Sequence, residues 1–93
     1  MKGKITRQCR MMVKKAAEYI AKSSLKEADN LIDTFNEKAT NVCKMPGIGT
    51  PYKNGLRKIK LGKFRYNIFY KIMKEKISFV GIWHTRRGKE FEP

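Results

Sequence analysis

Ninety-three residues allow one modest core, and a hydrophobic share of 41% with 11% aromatics excludes the depleted composition of a disordered chain. Twenty-two Lys and Arg against eight Asp and Glu give a formal charge of +14, so the natural partner is polyanionic: RNA, DNA, an acidic protein segment or an anionic membrane surface. No apolar run is long enough to span a bilayer, and MKGKITRQCRMMVKKAAEYI never develops the apolar core of a signal peptide, so a cytoplasmic protein without a membrane partner is expected.

Lys2 to about Thr6 leaves room for one brief strand. Apolar positions then recur at Cys9, Met12, Val13, Ala16, Tyr19 and Ile20, the spacing of an amphipathic helix that runs to about Lys22. Ser24 followed by Glu27 forms a capping box and starts a second helix of about five turns. Ala28, Leu31, Ile32, Phe35, Ala39, Val42 and Cys43 make its apolar stripe. Met11, Met12, Tyr19, Leu31, Ile32 and Phe35 are assigned to the packing surface of this hairpin. Cys9 and Cys43 stand outside any ligand-spaced cluster, and with one histidine in the chain they read as small core hydrophobes. Neither a metal site nor a cofactor is expected.

Pro46, Gly47, Gly49 and Pro51 end the helix and force an irregular connection. Beyond it the period changes to near two. Leu56–Leu61, Phe64–Met73 and Ile77–Trp83 are rich in β-branched and aromatic residues, and the turns Gly62-Lys63 and Lys74-Glu75-Lys76 are short enough for hairpins. The expected fold is therefore α+β over residues 1–93 as a single domain. An N-terminal helical hairpin packs on one face of a small antiparallel β-sheet, with a short N-terminal edge strand as an option. Strand parity puts Lys58 and Lys60 on one face, and Arg65, Asn67 and Lys71 on one side of the next strand, opposite the apolar row Phe64, Tyr66, Ile68, Tyr70 and Ile72. The expectation is a basic, uncovered sheet surface.

Pro46-x-x-Gly49, then Gly55-Leu56-Arg57, Gly62-Lys63-Phe64-Arg65, Ile68-Phe69-Tyr70 and the closing His84-Thr85-Arg86-Arg87 resemble the RelE/ParE superfamily of toxins from type II toxin-antitoxin systems. The resemblance spans about Val13 to Arg87. Two features depart from it: the opening segment Met1–Arg7 is polar where the family has an apolar strand, and the second long strand is two residues longer than usual.

The resemblance implies a growth-inhibiting toxin held by a cognate acidic antitoxin, and it carries two mechanisms. RelE-like members are ribosome-dependent endoribonucleases that cut messenger RNA; ParE-like members poison DNA gyrase without nuclease chemistry. For the first, the resemblance maps catalytic roles onto Lys58, Lys60, Arg65 and Arg86, with Arg57, Lys63, Lys71 and Arg87 as RNA-binding charges. Attack by a 2'-hydroxyl builds charge on phosphorus that clustered cations stabilise, and a lysine crowded by cations is a candidate general base. The C-terminal tyrosine of RelE-like members has no counterpart; Phe91 and Glu92 occupy that region, which leaves His84 either as the candidate general acid or as a packed strand-end histidine. The nuclease, acting on ribosome and mRNA, is the leading expectation and the gyrase inhibitor the alternative. A third reading is a non-toxic RNA-binding module with Phe69 and Trp83 as stacking aromatics.

Overall fold

The computed structural model describes residues 1–93. In chain order the elements are β1 (Lys2–Ile5), α1 (Arg7–Ala21), α2 (Leu25–Lys44), a 3-10 turn at Pro46–Ile48, β2 (Thr50–Pro51), a second such turn at Lys53–Gly55, β3 (Leu56–Lys60), β4 (Tyr66–Met73) and β5 (Lys76–His84). Both helices start where a side-chain oxygen can take an orphan amide. Thr6 accepts from the Cys9 N–H and Ser24 from the Glu27 N–H, each at 3.1 Å. Only half of the expected capping box forms, because the Glu27 carboxylate turns away to accept from Asn30 and to pair with Lys63.

The five strands form one sheet in the order β1-β5-β4-β3-β2. β3, β4 and β5 are the expected antiparallel meander, and β1 joins β5 in parallel, with Lys2 opposite Lys76 and Ile5 opposite Phe79. Polar as it is, β1 holds its place by close approach. A Cβ on Gly3 would come within 2.6 Å of the Cys43 sulfur and 2.9 Å of the Phe79 ring, so only glycine lets this edge settle between α2 and β5. β2, too short to leave a periodic signal, pairs Thr50 and Pro51 with Lys58 and Arg57.

Residues opposite one another on β4 and β5 shift register between Phe69 and Tyr70, whose partners are Gly81 and Phe79, so Val80 is the extra residue of a bulge. The bulge changes which parity faces the helices. Ile77 and Phe79 point to the helical layer before it, and Ile82 after it. On that side Leu31, Phe35 and Val42 of α2 and Cys9, Ala16 and Ala17 of α1 pack with Leu61, Ile68, Tyr70, Ile77, Phe79 and Ile82. Leu31, Phe35 and Val42 follow the expected stripe, whereas Met11, Tyr19 and Ile32, assigned to packing from sequence, are exposed. Tyr19 is 70% exposed, because Ala16 and Ala17 supply the surface on which α1 meets the sheet.

The opposite face departs from the bare basic surface expected of it. Residues 88–93 fold back across the sheet, and Phe91 is 1% exposed in a second cluster with Leu56 and Phe69. Its ring stacks on Phe69 at 4.4 Å and meets Trp83 edge-on at 5.6 Å, while Tyr52 closes on Phe69 from the side at 4.8 Å. The Trp83 indole N–H donates to the Lys89 carbonyl at 2.9 Å, the Tyr52 hydroxyl donates to the Phe91 carbonyl, and Lys53 pairs with both Glu90 and Glu92. Phe69 sits on the same side of β4 as Asn67 and Lys71, so this face is half apolar, and the tail covers the apolar half.

Candidate functional site

Four residues of the motif that carried the resemblance form a structural knot. The Tyr70 hydroxyl accepts from the Gly49 N–H at 2.9 Å and donates to the Pro46 carbonyl at 2.7 Å. Arg57 donates to the Gly49 carbonyl. A Cβ on Gly49 would lie 2.6 Å from the Tyr70 oxygen and 2.8 Å from the Lys58 carbonyl, so Pro46-x-x-Gly49 needs its glycine for this approach. Arg57, assigned to RNA from sequence, is thus turned toward the irregular connection and engaged there. Lys63 is engaged as well, with Glu27 at 2.8 Å, at the turn beside the start of α2.

The five residues assigned to catalysis do not converge. Lys58 and Lys60 alternate with Ile59, which joins the helix-side core, and so lie on the tail-covered face opposite Phe69 and Asn67. Lys58 sits half-buried with its ammonium 5.5 Å from the Tyr52 ring centre, and Lys60 is exposed. Lys71 is exposed further along the same face. Arg65 lies in the connection between β3 and β4, exposed, with its carbonyl accepting from the Thr85 N–H at 2.8 Å.

The His84 ring is on the helical side of the sheet, edge-on to Tyr66 at 5.1 Å. Its Nδ1 accepts from the Arg86 N–H at 3.1 Å, which puts the proton of the neutral imidazole on Nε2. The imidazole thus packs toward the helical layer, although His84, at the end of β5, also borders the far-face hollow that Lys58 lines. Tyr66, placed in the apolar row from sequence, is a member of this second group, and burial raises its hydroxyl pKa, opposed by Arg87, so the phenol stays protonated. Only parity across the unforeseen bulge would have put Tyr66 and His84 side by side.

Lys58, Asn67, Trp83, His84, Arg87 and the tail border a shallow hollow of about 330 Å³ on the far face. The guanidinium of Arg87 lies over the Trp83 ring at 4.2 Å. Phe91 fills the middle of that face, where Phe69 and Trp83 were candidates to stack on bases. The only ion pairs in the molecule use Lys53 and Lys63, so Lys58, Lys60, Arg65, Lys71, Arg86 and Arg87 carry no carboxylate partner. No group of three or more His, Cys, Asp or Glu side chains comes together to hold a metal ion. No helix is long and apolar enough to cross a membrane.

A Pseudomonas structure shares this arrangement. A chain of the chromosomal ParDE TA system from P. aeruginosa superposes with a TM-score of 0.82, covering 92% of this chain and 97% of that one, at 17% sequence identity. At that identity the likeness shows the fold. No curated protein matches the sequence. The family described as the ParE toxin of the type II toxin-antitoxin system, parDE, matches residues 4–88, from within β1 to the segment just past β5. With the match running through every helix and strand between those limits, the chain belongs to the ParE toxin family of type II toxin-antitoxin systems.

Proposed function

We propose that this protein is a growth-inhibiting toxin that acts on DNA gyrase, and that it uses no nuclease chemistry of its own. The observation that carries the reading is the separation of the nuclease candidates. Of the five candidates only Lys58 and His84 border the far-face hollow, and the His84 ring packs on Tyr66, whereas proton transfer at a single phosphorus needs base, acid and stabilising cations within reach of the same site. Phe91, in the region where RelE-like members carry a tyrosine, is buried and has no proton to give. Membership in the ParE family supports the same target.

A toxin of a type II system works against a cognate antitoxin, and an acidic partner complements a chain of charge +14. Its site of action is the cytoplasm, where gyrase works. The ribosome-dependent nuclease stays a second reading on one observation: Lys58, Lys60 and Lys71 share the far face without ion-pair partners.

The test is a pair of assays on purified protein. In a gyrase supercoiling reaction, wild type and Lys58→Ala/Lys60→Ala are expected to inhibit alike. In a reconstituted translation system, primer extension is expected to find no new cuts in a defined messenger RNA. Ribosome-dependent cuts that vanish in the double variant, with gyrase unaffected, would sink the gyrase reading and establish the nuclease.

A further inference from the structure

Between α1, the start of β4 and the end of β5 lies an open hollow of about 510 Å³. Its walls carry the rings of Tyr19, Tyr66 and His84, and its rim carries Lys15, Arg86 and Arg87. Every charged side chain lining it is a cation, and none of the three is in an ion pair. Three uncompensated positive groups around one concavity repel one another and raise the local concentration of anions, so the hollow is poised for an anionic ligand.

The remaining polar atoms narrow the chemistry. With His84 Nδ1 occupied by the Arg86 N–H, Nε2–H is free to donate, and the Tyr66 hydroxyl is kept protonated. Donors and cations dominate, which suits phosphate oxygens, all of them acceptors. Arg87 is already held flat against Trp83, so part of the cost of ordering its side chain is met before a ligand arrives. Tyr19 is 70% exposed, with the Lys22 ammonium 5.7 Å from its ring centre, so its ring stays accessible beside one more cation.

We infer that this hollow is a nucleotide site, taking one base against its aromatic walls and the attached phosphate on Lys15, Arg86 and Arg87. The combination of a cationic rim and stacking rings is what single-stranded nucleic acid binding requires. An acidic peptide satisfies the charge but not the shape. A carboxylate side chain fills little of the volume. An extended chain finds no backbone to pair with, since the N–H groups of Thr85, Arg86 and Arg87 are already donated to Arg65, His84 Nδ1 and the His84 carbonyl. His84 and Arg87, at the end of β5, also border the far-face hollow that Lys58 lines, whereas Lys15, Tyr19, Tyr66 and Arg86 border only this one of the two, and the site does not depend on which target the toxin attacks.

The experiment is fluorescence anisotropy of a labelled ten-nucleotide oligo-dT with the purified full chain, without gyrase or ribosomes. Two double variants remove equal charge: Lys15→Ser/Arg86→Ser at the hollow, and Lys2→Ser/Lys4→Ser on exposed β1, whose Lys2 end pairs with Lys76, at the opposite end of β5 from His84. The hollow pair is expected to weaken binding about tenfold or more, the β1 pair no more than about threefold, and Tyr19→Ala about fivefold or more from lost stacking. Unlabelled AMP is expected to compete, and AMP displacing the strand completely at low concentration would mark a free nucleotide, rather than a strand, as the source. Equal losses from the two double variants would overturn the site in favour of diffuse charge. Competition by a poly-glutamate peptide but not by AMP would overturn it in favour of an acidic protein segment.

Discussion

The two faces of the sheet are closed in different ways. The helical face is sealed by long-range packing of two regular elements, with 14 buried residues in one continuous cluster. The other is sealed by six residues without regular structure, anchored by Phe91 in a cluster of three. A helix layer leaves as a cooperative unit and costs global stability, whereas a terminal strap can peel while the rest stays folded. The unoccupied cations distribute themselves around both closures, and the two hollows they border meet at His84 and Arg87, at the end of β5.

Breaking the helical side should have the largest effect. Phe79→Ala is expected to cost about 3–5 kcal/mol, read from the midpoint of chemical denaturation, because its ring touches Phe35, Tyr70 and the β1 glycine at once. Phe91→Ala is expected to cost about 2 kcal/mol, the transfer free energy of one ring, since a peeled strap leaves no trapped cavity. Hydrogen exchange should quicken at Trp83 Nε1 in that variant and stay slow in α2; equal quickening in both would show that the two faces are one cooperative unit. Tyr70→Phe should cost about 1–2 kcal/mol by leaving the Gly49 N–H without an acceptor, with loosening confined to 46–52.

Acid is the gentlest probe. Lys53 holds the Glu90 carboxylate below its ordinary pKa of 4.5, so this anchor is complete above that value and is lost as pH falls through the lowered one. Trp83 fluorescence should therefore report strap release at a higher pH than far-ultraviolet circular dichroism reports loss of the helices. Coincident transitions would mean that the exposed pair contributes nothing to holding the strap.

Cys9 separates the faces in another way. It is fully buried on the inner face of α1 and its thiol is pushed up to about 12 by that burial, so it should react with alkylating reagents only on global unfolding. Half-buried Cys43 should label first.

Both helices, the β3–β4–β5 meander and the family resemblance were legible in the sequence, because periods of 3.6 and 2, Ser24 at a cap and the Pro-Gly cluster are local signals. The candidate site was legible only in its residue types. Lys58 and Lys60 sharing a face followed from parity within one strand. Parity could not have placed His84, because Val80 bulges in β5 and brings His84 beside Tyr66. Arg57 looked like a free cation because its acceptor, the Gly49 carbonyl, lies in an irregular connection that no periodicity describes.

By itself, then, the sequence determined the layers and the charge, which rest on composition and short-range spacing, and its motifs carried the likeness to a toxin family that the family match establishes. The tertiary structure decided which cations stay free, that the far face is strapped by residues 88–93, and that Arg87 stands where the two hollows meet. Those outcomes depend on which distant backbone or ring each side chain meets, and such meetings are set by packing and by one extra residue in a strand.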